Sequence, residues 1–213
     1  MKINFVYDKG KDVWCLLNKG KSSNNSQSPT KQYAQLVAQC GENPTSEDAA
    51  VFIDEYISEN KIDIPKRTKD FQGEWESISS EFQKRAETIF GASLSNNITA
   101  YITINSRCPY NIKEDFFYVS LSSSQVRKTA MHELWHFYTW YGLGSDQEEQ
   151  LGKERYNNLK EALTVLLNVE CADLLPEGEV DTGYPQHQEL REKITKYWEK
   201  DKNIKNLWRH LLG

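Results

Sequence analysis

The sequence contains no apolar run approaching the length of a membrane-spanning helix. Its opening residues, Met1-Lys2-Ile3-Asn4-Phe5-Val6-Tyr7-Asp8, are interrupted by Asn4 and Asp8 too early to form the apolar centre of a secretion signal. Cysteine is scarce: Cys15, Cys40, Cys108 and Cys171 lie far apart, with no paired spacing of the kind that builds a zinc ribbon or a redox pair. In a chain without an export signal such cysteines read as reduced, partly buried thiols, and the expected location is the cytoplasm, away from the membrane. Charge of one sign is also lacking. Lys and Arg number 26 against 31 Asp and Glu, a net charge of -5, and the two signs are interspersed. No basic stripe is left for a nucleic-acid partner. No internal repeat occurs, and only four histidines are present.

What remains is the composition of a globular protein, 38% hydrophobic and 12% aromatic over 213 residues, enough to build a core without disulfides. Ile3, Phe5 and Tyr7 alternate with polar residues, and Lys9-Gly10-Lys11 precedes Val13 to Leu17, a pattern that predicts a β-hairpin. Lys19 to Ser28, rich in Ser, Asn and Lys, reads as a mobile loop. Ser28-Pro29 is expected to open a helix ending near Gly41, and Thr45-Ser46-Glu47-Asp48 to cap a second one reaching Asn60. The polar stretch from Pro65 to Asp70 is taken as a joint, giving a small N-terminal lobe over 1–70 and a main domain over 71–213.

In the main domain Trp75, Ile78, Phe82, Ala86 and Ile89 share one helical face, closed by Gly91. Asn97 to Asn105 and Phe116 to Leu121 are β-rich. Ser122 to Ser124 can cap a helix running to Tyr141, and Ser145 with Glu148 forms a capping-box pattern for the next, with a break expected near Gly152. Two further helices are expected near Gln188 to Lys200 and Ile204 to Leu212. Trp135, Trp140, Trp198 and Trp208 read as core residues. The expected fold is α+β: a small mixed or antiparallel sheet packed on one central helix, followed by a mostly helical C-terminal part.

That central helix carries His132-Glu133-Leu134-Trp135-His136, an H-E-x-x-H sequence. Residues four apart on a helix lie one above the other, so both imidazoles can reach one metal at about 2 Å. Glu133 stands beside that face, within reach of a water and not itself a ligand. A third ligand is needed. Position 139 is Thr and position 142 is Gly, which excludes the metzincin pattern of Gly followed by His. Glu161, 25 residues after His136, is the first candidate, because it shares a polar stripe with Thr164 and Asn168 on an otherwise apolar segment. A semi-buried carboxylate there needs a partner, and Thr164 and Asn168 are placed to orient the ligands. Glu170 and Asp146 are the alternatives.

His132-Glu133-x-x-His136 with a glutamate on a later helix resembles the gluzincin metallopeptidases, the thermolysin-like branch of the zincins. The absence of a signal peptide is similar to the small intracellular peptidases of the ImmA/IrrE type. The resemblance covers about residues 115 to 175. It implies one zinc ion per chain, a peptide or protein substrate, and peptide-bond hydrolysis with Glu133 as general base. It departs at Val165, where thermolysin-like enzymes carry an Asp four residues after the ligand Glu. The turn-rich segment Asp181-Thr182-Gly183-Tyr184-Pro185-Gln186-His187 offers Tyr184 or His187 as the donor to a developing oxyanion. The remaining alternatives are a zincin fold kept for binding or regulation, and hydrolysis of a non-peptide bond.

Overall fold

The computed structural model describes residues 2–21, 28–94 and 97–213; most of the loop expected over Lys19 to Ser28 lies outside them. The protein is α+β and mainly helical, with a small mixed four-stranded sheet. Contacts divide it into two compact units, one formed by Lys2–Glu74 and Asn96–Val126, the other by Trp75–Ser95 and Arg127–Gly213. The N-terminal strand takes its partner from the middle of the chain.

The first unit holds the sheet. Strand β1 (Lys2–Tyr7) is followed by helices α1 (Lys9–Lys19), α2 (Lys31–Cys40), α3 (Ser46–Glu59) and the start of α4 (Ile64–Phe90), then β2 (Asn97–Thr103), β3 (Tyr110–Asn111) and β4 (Phe116–Ser120). The strand order is β1-β2-β4-β3. β1 and β4 both run parallel to β2, and β3 is antiparallel to β4. Ile3 and Phe5 point inward beside Ile98 and Ala100, their register partners, so the alternation in β1 is that of a half-buried strand.

The expected hairpin after β1 is not formed. Asp8 caps a helix, its carboxylate accepting from Lys11 N at 2.8 Å, and the buried side chains of that helix are Asp12, Cys15 and Leu16. That is helical spacing. A parallel neighbour also requires the chain to leave β1 through a crossover and not through a tight turn. The outer edge of β1 is closed by one side chain: the Gln72 amide accepts from Phe5 N (3.0 Å) and donates to Ile3 O (3.1 Å).

The expected joint at Pro65 to Asp70 lies inside α4. Asp63 caps this helix through Lys66 N (2.9 Å), and Pro65 falls in its first turn, where a missing N–H costs nothing. Pro29 in turn precedes the cap of α2, which is Thr30. The Thr45–Asp48 capping box is present.

The second unit contains the rest of α4, then α5 (Val126–Leu143), α6 (Gln147–Leu151), α7 (Lys153–Leu163), α8 (Leu166–Glu170), α9 (Gln188–Trp198) and α10 (Ile204–Leu212). Its core is aromatic. Trp75 and Phe82 meet edge to face, Phe90 meets Trp135 edge to face at 5.1 Å, and Phe90 stacks on Tyr138. Asp146 stands at the head of α6 without a side-chain cap bond, so the Ser145–Glu148 box is not formed. Among the described residues no helix is long and apolar enough to cross a membrane.

Candidate metal centre

Helix α5 is buried on most of its circumference, with Ala130, Met131, Leu134, Trp135, Phe137 and Tyr138 all inaccessible. That packing fixes the helix backbone from which His132 and His136 project. His132 Nε2 and His136 Nε2 lie 3.1 Å apart. Glu161, two residues before the end of α7, brings its oxygens to 3.5 Å from His132 Nε2 and 3.3 Å from His136 Nε2. Among the described residues this trio is the group of His, Cys, Asp and Glu whose ligand atoms close to within 4.8 Å of one another. Glu170 instead accepts from Trp198 Nε1 (2.8 Å) and Lys202 Nζ (2.7 Å), and Asp146 accepts from Gln150.

The trio fits a tetrahedral cation. Donors about 2.0–2.1 Å from one centre stand about 3.3 Å apart, which is the spacing found here. Two imidazole nitrogens turned toward each other beside a carboxylate gain little from one another, and the Glu161 oxygens stand 3.5 and 3.3 Å from them. Two histidines and one carboxylate are also the donor set of open zinc sites.

Behind His132 lies a second carboxylate. His132 Nδ1 is 2.6 Å from Asp181 Oδ2. Asp181 is itself held on every side. Thr164 Oγ1 (2.8 Å) and Arg191 Nη2 (3.0 Å) donate to its Oδ1, Arg191 also donates to its carbonyl, and Asn168 bonds both its N–H (2.7 Å) and its carbonyl (2.8 Å). Thr164 and Asn168 thus act on Asp181 and not on the Glu161 carboxylate. The segment from Asn158 to Asn168 is not one helix either: it breaks at Thr164 and Val165 into α7 and α8.

The electrostatics follow from this crowding. Burial pushes Glu133 up to about 7, and the Glu161 charge adds to it while His132 opposes it. Burial lowers His136 to about 4, so it stays neutral. His132 is also disfavoured by burial as a cation, but its bonds to Asp181 and Glu161 outweigh that and raise it to about 10 in the absence of a metal. Burial alone would raise Glu161, yet the two histidines hold it well below the usual carboxylate range. Lys160, almost fully buried, places Nζ 3.4 Å from Glu161 Oε1 and adds positive charge beside both glutamates.

The two proposed oxyanion donors differ. Tyr184 is half exposed, and burial together with the charges of Glu161, Glu133 and Asp181 raises its hydroxyl, keeping it protonated. His187 is buried and engages Asn158 Oδ1 through Nε2 at 3.0 Å. Asp181, Arg191 and Lys160 were not legible as site residues. Asp181 and Arg191 lie 49 and 59 positions beyond His132, and Lys160 carried no signal beyond its place next to Glu161.

No protein-family profile matches the chain, and neither does any curated protein or solved structure.

Proposed function

We propose that the protein is a zinc-dependent peptidase of zincin-like fold, with His132, His136 and Glu161 as the metal ligands and Glu133 as the general base. The observation that carries this reading is the convergence of three donor atoms at tetrahedral spacing beside a carboxylate raised to about 7. A divalent cation held there supplies Lewis-acid chemistry, acidifying water and polarising a carbonyl. Glu133 takes the proton from the attacking water and passes it to the leaving amine, a task suited to a base that titrates near neutral pH. Glu161, held anionic by its neighbours, is ready to ligate without first losing a proton. Asp181 fixes the His132 tautomer by accepting from Nδ1, so that Nε2 presents its lone pair. Tyr184 is the preferred oxyanion donor, since its hydroxyl stays protonated while His187 is already engaged by Asn158. Cys15 and Cys171 are buried thiols, in keeping with a reducing, cytoplasmic setting.

The test is metal content by elemental analysis on wild type, Glu161→Ala and Glu133→Gln, with hydrolysis of a peptide library and of simple esters in parallel. One zinc per wild-type chain, lost in Glu161→Ala and kept in inactive Glu133→Gln, supports the reading. Ester hydrolysis without peptide hydrolysis moves the substrate class, and a folded wild type that takes no zinc ends it.

A further inference from the structure

The metal ligands are held from behind by residues of α9 and the loop that precedes it. Arg191 is buried on α9, and its two terminal nitrogens make three bonds: Nη2 donates to the Oδ1 (3.0 Å) and the carbonyl of Asp181, and Nη1 donates to Thr164 Oγ1 (2.8 Å). Thr164 in turn bonds Asp181 Oδ1. Arg191, Thr164 and Asp181 therefore form a closed ring of bonds, and the one carboxylate oxygen left outside it, Oδ2, meets His132 Nδ1.

The loop is shaped for this guanidinium. Gly183 has φ +60°, in the left-handed region that favours glycine. A Cβ on Gly183 would stand 2.6 Å from Arg191 Nη1 and 2.8 Å from Cζ, closer than any side chain is tolerated. Bare backbone is thus pressed against the cation. The spacing Asp181-Thr182-Gly183 then has a physical reason: the aspartate meets the guanidinium with its carboxylate, and the chain turns round it at the glycine.

We infer that Arg191, seated by Gly183, is a positioning residue for the metal centre: it clamps Asp181 so that the His132 ring is fixed in orientation and tautomer with Nε2 toward the metal. This inference rests on the metal-binding reading of His132, His136 and Glu161. Arg191 touches none of the ligands. Without it the Asp181 carboxylate loses the bonds that hold its Oδ1 and its carbonyl, and is free to rotate away from His132. Nδ1–H then loses its fixed acceptor, and the imidazole is free to turn. A lysine cannot replace the fork, because one ammonium does not span the Asp181 carboxylate, the Asp181 carbonyl and Thr164 with fixed geometry.

The experiment measures zinc affinity of the full chain by competition with a chromophoric chelator, together with the solvent exchange of the His132 Nδ1–H by NMR of the zinc-free protein. Wild type is compared with Arg191→Ala, Arg191→Lys, Asp181→Asn, the double variant Arg191→Ala/Asp181→Asn, and the exposed control Lys193→Met. The expected result is a loss of affinity on the order of 10- to 100-fold in Arg191→Ala, a smaller loss in Arg191→Lys, and none in the control. Asp181→Asn should lose a similar amount, with the double variant no worse than the poorer single one. The His132 Nδ1–H should change from a slowly exchanging, hydrogen-bonded proton to one that exchanges readily with solvent. If Arg191→Ala does not fold, Gly183→Ala carries the test, because it keeps the guanidinium and displaces it. A folded Arg191 or Gly183 variant with wild-type affinity and Nδ1–H exchange overturns the inference while leaving the metal site standing. A folded wild type that binds no zinc overturns both.

Discussion

Each unit of the molecule buries an aspartate, and the two are held in opposite ways. In the sheet-bearing unit Asp12 is fully inaccessible, and its Oδ1 accepts from the Thr103 hydroxyl (2.5 Å) and Ile104 N (3.1 Å). Those donors are neutral, so burial wins and raises its pKa to about 6. In the other unit Asp181 is nearly as buried, but His132 and Arg191 overcome the same penalty and lower it below the usual range. A buried carboxylate is thus no mark of function in itself. What distinguishes Asp181 is that one oxygen is clamped by a cation while the other is aimed at a histidine that faces a second histidine and a glutamate. Glu133 makes a third case: raised by burial like Asp12, but with Oε2 left without a hydrogen bond, which suits a group that must receive a proton.

The largest effect expected from these differences is at Glu133. Glu133→Gln should lower peptide hydrolysis by about 10²- to 10⁴-fold without changing zinc content, as read by kinetics and elemental analysis. Unchanged turnover would mean that its environment has no catalytic meaning.

Next comes stability at neutral pH. Asp181→Asn strands the Arg191 charge and should destabilise the zinc-free protein by about 3–5 kcal/mol. Asp12→Asn keeps an acceptor for Thr103 and removes a charge that burial opposes, so it should cost nothing or stabilise. Urea melts of the two variants side by side decide this, and equal losses would erase the contrast.

The pH dependence should also differ in sign. A raised pKa means that the contribution of Asp12 is complete below its unfolded value near 4 and is lost as pH rises through about 6. Asp12→Asn should therefore gain on wild type over that window, by about 2 kcal/mol. The depressed Asp181 stabilises above the ordinary carboxylate range and loses that contribution as pH falls through its folded value, so the deficit of Asp181→Asn should shrink in acid. Melting curves between pH 3 and 8 read both trends.

The smallest effect concerns the strand that leads to Asp12. Gln72→Ala leaves Phe5 N–H and Ile3 C=O without their amide partner, and should cost about 1 kcal/mol and increase self-association measured by light scattering.

Local patterns were legible and long-range ones were not. His132 and His136 announce themselves because a helix puts residues four apart on one face, and Glu161 stands out as the carboxylate that precedes the mostly apolar run from Ala162 to Leu167. The Thr45–Asp48 box was readable because cap and helix are adjacent. The α1 segment was misread because the partner of β1 is distant, and alternation alone cannot tell a hairpin strand from one entering a crossover. Pro65 looked like a break because its tolerance depends on Asp63 acting as the cap two residues earlier. Ser145 failed as a cap because Gly144, at φ +111°, turns the chain and leaves Asp146 at the helix head. Asp181 and Arg191 carry no local signature, since their meaning comes only from meeting Thr164 and His132 in the folded chain.

The pairing of Lys2 with Asn97 also sets a clock. Roughly 95 residues separate the partners, so at about 5–20 residues per second of synthesis β1 waits about 5–20 seconds for β2 to exist. Gln72 is made some 25 residues sooner, and its amide can engage the other edge of β1 in the interval. Two backbone groups on that edge then have a tenant before the sheet is complete, which leaves a shorter free stretch for a nascent neighbour to pair with instead.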